Sequence, residues 1–440
     1  MIHFASDRAE KFASAQAAGK EVEMRIGRSW IAFGLLLAGP AAHAQLLPSP
    51  GSTLGQARGI LPDALDKVEG TLGTTGLDRL APERLAERLA AARTARIADL
   101  LRRNGDSIEL DDRREPARRG VILLTGAKTD SIEALRNAGY GVESEPIEGI
   151  DLPVAKLTVP KGRSLSRALK QVRSLAPEAE ASADNLYFPS GVAPMLNVAA
   201  LAGTSAGPVR GRAAGLIDGG VARHPSLTAM VEQRGFARGA PKVSSHGTAV
   251  ASLISGTGIV RGAAPGTPLL AADVYGDDPA GGGAFAIARA LGWMAARGVN
   301  VVTMSLVGPD NPLLAGAIRL AREKGVTVVA AVGNDGPAAP PAYPASYPEV
   351  IAVTGIDGRG RVLPEAGRAR HVDFAAPGAD MDAARSDGGK GPVRGTSFAA
   401  PLVAGRLFAT GSISALRAEA KPGARGAGRG IVCGECRNID

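Results

Sequence analysis

Leu216-Ile217-Asp218-Gly219-Gly220, Ser245-His246-Gly247-Thr248 and Gly395-Thr396-Ser397-Phe398-Ala399-Ala400-Pro401 follow one another along this chain of 440 residues. Each places one chemically active residue at the edge of a regular element. Asp218 ends the apolar run 213–217, at the carboxyl end of a predicted strand, where open parallel sheets hold their ligands. His246 opens the helical stretch 247–255. Ser397 lies between Gly395 and the small residues Ala399 and Ala400, which let a helix N-terminus press close to a sheet and turn its free N–H groups toward a reaction. A serine hydroxyl is a weak nucleophile until an imidazole takes its proton. The imidazole in turn needs a carboxylate to set its tautomer and balance its charge. Asp218, His246 and Ser397 supply that set.

Outward from these segments, residues 211–440 alternate between apolar runs and amphipathic stretches. The runs 299–306 and 326–332 suit strands buried on both faces, and helices are predicted over 285–297 and 312–324. The pattern is an α/β fold, a parallel sheet covered by helices on both faces.

The order Asp, His, Ser is that of subtilisin rather than of other serine hydrolases. Gly-Thr-Ser-x-Ala-x-Pro followed by Val403-Ala404-Gly405 is highly specific. Over residues 211–410 the chain resembles the subtilisin-like serine peptidases. The resemblance implies that Asn334, in Gly333-Asn334-Asp335-Gly336, is a side-chain donor to the tetrahedral oxyanion, with the Ser397 backbone N–H as the second donor. It also implies that Gly282, Gly283, Ser305, Leu306, Val307 and Gly308 pair with an extended polypeptide substrate added as a strand. Three positions depart from the family pattern: Gly219 replaces Ser or Thr, Ala249 a second His, and Val307 a Gly. Val307 is expected to narrow the primary pocket toward small side chains. The polar loop that holds calcium in many relatives is missing between His246 and Gly262, so no metal or other cofactor is expected.

Rival assignments fail on context. His224 and His371 lack the small neighbours that would let an imidazole approach a facing helix; His3 and His43 fall in or before the signal region. Gly203-Thr-Ser-Ala-Gly207 matches the lipase nucleophile elbow, but that motif needs a strand before and a helix after it. Pro208 and Gly211 follow Ser205, so Ser205 is rejected. The alternative on the same fold is a catalytically inactive pseudo-peptidase that only binds.

Hydrophobic residues at 45% and charged ones at 21% describe a globular chain with more than one folding unit. The net charge of +8 is uneven: residues 205–440 carry 25 basic and 18 acidic side chains. No aromatic-interleaved basic stripe accompanies it, so nucleic acid is not an expected partner. Arg25 and Arg28, the apolar run 30–39 and Ala42-His43-Ala44 read as an export signal cleaved before Gln45, with Met24 as the initiator. The apolar run is too short to span a bilayer, and no later segment looks membrane-spanning. The expected location is periplasmic or extracellular.

Residues 45–114 read as a helical segment, followed by a charged hinge at 111–119. Residues 115–190 read as β-α-β-β-α-β, a ferredoxin-like split-βαβ unit. By position it resembles a subtilisin-type prodomain, implying an intramolecular chaperone and inhibitor. Residues 191–210, rich in Pro, Gly, Ser and Ala, read as a linker. Cys433 and Cys436 favour a local disulfide in an oxidising compartment. A redox pair would open a helix, and zinc would need further ligands.

Overall fold

The computed structural model describes residues 81–190, Val209 and 211–439. The export signal, the helical pattern before Ala81, Ser205 and nearly all of the 191–210 linker lie outside the described residues.

Seven parallel strands form the main sheet: β7 (Ala214–Asp218), β8 (Val231–Gly235), β9 (Leu269–Asp273), β10 (Val301–Met304), β12 (Thr327–Ala331), β13 (Ile351–Ile356) and β14 (Phe374–Pro377). Their order is β14-β13-β12-β10-β7-β9-β8, with β7 and β10 near the middle. Every residue of β7 and β10 is buried, as continuous apolar runs require when both faces are covered. One face carries α4 (Ser245–Ser255) and α7 (Thr396–Thr410); the other carries α5 (Ala284–Ala296) and α6 (Pro312–Glu323). The expected α/β architecture is therefore present.

Small residues set the layer spacing. A Cβ built on Gly405 of α7 would stand 2.8 Å from Ala263 Cβ, and one on Gly247 of α4 would stand 2.3 Å from the Gly219 carbonyl oxygen. Close packing of this kind leaves no room for a methyl group.

Before the main sheet lies a smaller α+β unit: β2 (Pro116–Thr125), α2 (Thr129–Asn137), β3 (Gly141–Ser144), β4 (Ala155–Thr158), α3 (Leu165–Leu175) and β5 (Glu180–Asn185). Antiparallel pairing joins β5 to β2, β2 to β4 and β4 to β3, the split-βαβ order. Strand alternation divides its apolar residues. Ile122 and Leu124 face α2 and α3, while Leu123 packs into the core formed with α5 and α6.

Two expectations need correction. The charged hinge at 111–119 is not a linker: β1 (Ile108–Leu110) pairs antiparallel with the start of β2, and Asp111 closes the turn between them by accepting from the Arg113 and Glu115 amides. Short polar side chains stabilise such turns, so a charged run is compatible with a hairpin. The last strand of the βαββαβ unit expected over 115–190 ends at Asn185, and a separate short strand, β6 (Phe188–Pro189), follows it. Ahead of β1, helix α1 (Pro82–Asn104) packs Leu100 against Leu186, with Leu101 and Phe188 beside them.

Candidate active site

Asp218, at the carboxyl end of β7, is 1% exposed. Its carboxylate meets His246 Nδ1 at 3.0 and 2.9 Å and accepts the Gly219 amide at 2.7 Å. Asp273 lies beside it in register at the end of β9 and is equally buried. That second carboxylate accepts the Lys242, Tyr275 and Gly276 amides, so it holds a loop, and burial pushes its pKa up.

His246 is the second residue of α4. The Ser244 hydroxyl caps this helix by accepting the Gly247 amide at 3.1 Å. A Cβ on Gly219 would lie 2.5 Å from Ser244 Cβ. The departure from Ser or Thr at position 219 thus has a steric cause: the capping residue of the histidine helix fills that space. The other described histidines hold backbone. His224 bonds the Gly389 carbonyl and the Ser226 amide, and His371 bonds the Val350 carbonyl.

Ser397 is the second residue of α7, fully buried, and its neighbour Phe398 stacks obliquely on His246 with ring centroids 5.4 Å apart. Its hydroxyl bonds Ser190 Oγ at 2.7 Å and donates to the Ser305 carbonyl at 3.3 Å. Asn334 accepts the Thr396 amide through Oδ1 at 3.0 Å, which leaves Nδ2 as the donor on the other side of its amide group. Thr396 ties the same turn down through the Gly333 amide and carbonyl.

The cleft contains a piece of the chain itself. Leu186 bridges Gly283, and the Tyr187 amide donates to the Gly282 carbonyl at 2.9 Å. Strand β6 pairs antiparallel with β11 (Leu306–Val307). The Ser190 amide donates to the Ser305 carbonyl at 3.2 Å, and the Ser397 amide donates to the Ser190 carbonyl at 3.1 Å. Residues 186–190 therefore lie as an extended peptide between two edges, with one carbonyl on the Ser397 amide. Ser190 and Tyr187 were not singled out in the sequence. No local pattern marks them, because their place is set by pairing with residues distant in the chain.

Among the described residues, no group of three or more His, Cys, Asp or Glu side chains could hold a metal ion, and no single helix is long and apolar enough to cross a membrane. Cys433 and Cys436 form a disulfide.

A family model described as the Subtilase family matches residues 211–410. The chain is 36% identical over 173 residues to the major intracellular serine protease of Bacillus subtilis (strain 168), covering 37% of this chain and 54% of that protein. It is 34% identical over 198 residues to Subtilisin BL of Lederbergia lenta, covering 43% of this chain and 72% of that protein. The chain thus spans about half the length of the first relative and nearly three quarters of the second. Among solved structures, fervidolysin from Fervidobacterium pennivorans, a keratinolytic enzyme related to subtilisin, shares the fold. Its TM-score is 0.58 at 20% identity, over 72% of this chain and 60% of that one.

Proposed function

The chain belongs to the subtilase family, and from that premise we propose that it is an exported serine endopeptidase made as an inhibited precursor. The observation that carries this reading is the docked strand 186–190, whose Ser190 carbonyl accepts the Ser397 amide. A cleft that already holds an extended peptide with one carbonyl on that amide is built to act on peptide bonds. Ser397 is the nucleophile. His246 takes its proton through Nε2, with Nδ1 committed to Asp218, and later gives it to the leaving amine. This requires the Ser397 side chain to turn from Ser190 to the imidazole. The Ser397 amide and Asn334 Nδ2 stabilise the oxyanion; losing one such donor typically costs about 10²–10³ in turnover.

The α+β unit acts as the inhibitor, since its last residues fill the cleft. Gly282, Gly283, Ser305, Leu306, Val307 and Gly308 form the two peptide-binding edges. Val307 Cγ1 lies 3.3 Å from where a Cβ on Gly333 would stand, which supports a narrow primary pocket. The polar-apolar pattern of residues 25–44 supports export.

The test uses an irreversible serine-directed phosphonate. Wild type becomes labelled and Ser397→Ala does not. Equal labelling of both, or none of wild type under conditions where it cleaves casein, removes the assignment of Ser397. A folded wild type with neither labelling nor proteolysis supports a binding protein instead.

A further inference from the structure

We infer that Glu365 and Arg394 are a positioning pair that sets the distance between Asn334 and the Ser397 amide, the two oxyanion donors of the peptidase reading. The inference rests on that reading and adds to it the residues that brace its geometry.

The need for a brace comes from a glycine. The chain leaves the short strand Lys390–Val393 and reaches α7 through Arg394 and Gly395. Gly395 has φ +134°, a region that glycine alone enters freely, so the turn has little stiffness of its own. Arg394, one residue earlier, is where the turn can be held. Its guanidinium meets the Glu365 carboxylate as a fork, Nε donating to one oxygen at 2.7 Å and Nη2 to the other at 2.9 Å. Two parallel charge-assisted bonds fix direction as well as distance. The two side chains are 14% and 7% exposed, so water competes weakly for either.

Glu365 reaches the other donor through its backbone. Its carbonyl accepts the Gly336 amide at 3.0 Å, and the Gly367 amide donates to the Gly333 carbonyl at 2.6 Å. Asn334 stands between those two bonded glycines. A Cβ on Gly367 would lie 2.3 Å from the Val332 carbonyl oxygen, so segment 365–367 is pressed against the end of β12. Leu363 and Ala366 belong to the core, which gives the segment a fixed base. One residue thus holds the Asn334 loop by its main chain and the Ser397 turn by its carboxylate. Thr396 already ties the two loops at one point, and a second tether removes rotation about the first.

The full chain is brought to full activity as wild type, as Arg394→Lys, and as the double variant Glu365→Leu with Arg394→Met. Each is assayed on Ala-Ala-Pro-Ala p-nitroanilide and against the matching peptide boronate, whose boron becomes tetrahedral on Ser397. Rates are expressed per site titrated with the serine-directed phosphonate. Apolar replacement of a buried ion pair is often neutral or stabilising, so the double variant should match or exceed the wild-type denaturant midpoint in a Ser397→Ala background. Its kcat should nonetheless fall about tenfold to a hundredfold, with KM within about twofold. Boronate inhibition should weaken by the same factor as kcat/KM, because the tetrahedral adduct uses the same two donors. Arg394→Lys keeps the charge and loses the fork, and should lose about threefold or more in kcat. A purely structural pair would move the midpoint and leave kcat per titrated site unchanged; that result, or a loss confined to KM, overturns the inference. Should the double variant not fold, Arg394→Lys decides on the same terms, and wild-type kcat in it overturns the two-point tie. If wild type itself neither cleaves nor labels, it is the peptidase reading that has failed.

Discussion

Pro401 stands inside α7, where a proline removes the N–H that would bond the carbonyl four residues earlier. That carbonyl belongs to Ser397, and the Ser305 hydroxyl donates to it at 2.7 Å. From sequence alone, Pro401 looks close enough to the helix start for its missing donor to matter little. In the structure the helix begins at Thr396, so a real vacancy arises and is filled from the edge that pairs with residues 188–190. Ser305 thereby joins the docked strand 186–190, through its own carbonyl, to the position of Ser397. Ser305→Ala should destabilise the fold by about 1–3 kcal/mol, the usual cost of leaving a buried acceptor unpaired. Adding Pro401→Ala returns an N–H to the same carbonyl, so the double variant should lose less than the two singles together. Urea unfolding in a Ser397→Ala background, free of self-digestion, measures both; strict additivity would show that the two groups do not share this carbonyl.

At the scale of elements, α1 is the part for which no family resemblance prepared the reading. Its charges reach the loop that carries Asn334: Arg96 pairs with Asp335 at 2.8 Å and Arg93 with Asp335 at 3.5 Å. Arg93 also pairs with Glu115 at 3.0 Å, and Leu89 lies against Gly336. The helix therefore fastens the unit that fills the cleft to the loop that carries Asn334. Partly exposed pairs are worth about 0.2–1 kcal/mol each. On the inhibited-precursor reading, Arg93→Ala with Arg96→Ala should accordingly shorten the delay between chain cleavage and appearance of activity by about two- to thirtyfold, leaving cleavage itself intact. Progress curves on a peptide p-nitroanilide, with gel samples from the same tube, separate the two events; an unchanged delay would show that α1 does not retain the cleaved unit. The helical periodicity of α1 was legible in its sequence. Its docking partner was not, because charged residues on a helix face look alike whether they meet water or a distant carboxylate.

Across the whole molecule, β5 joins the two halves through the N-termini of α5 and α6. Asp184 accepts the Phe285 amide at 3.0 Å and Arg118 Nε at 3.3 Å, while Asn311, the cap of α6, donates to the Ala183 carbonyl at 2.9 Å. Burial holds the Asp184 carboxyl above the ordinary aspartate value of 3.8, outweighing the neighbouring Arg118. An acid whose pKa is raised on folding favours the folded state most when protonated, and that advantage is lost as pH rises through the raised value. Relative to Asp184→Asn, wild-type stability should therefore fall as pH rises above the ordinary aspartate value and level off once the raised value is passed. Denaturant midpoints of both proteins across that range test the sign; a gap that widens with pH would reverse it.

Spacing and composition alone carried the Asp, His and Ser segments, the alternation that makes a parallel sheet, and the βαββαβ order of the smaller unit. Periodicity reports which face of a local element is buried, and short motifs report which side chains stand at its ends. Neither reports which distant backbone groups will pair. That residues 186–190 enter the cleft, that Ser190 meets the Ser397 amide, and that Ser305 completes the proline-broken turn were decided only in three dimensions. Hydrogen-bond register between remote strands settles these points, and a linear pattern does not record it.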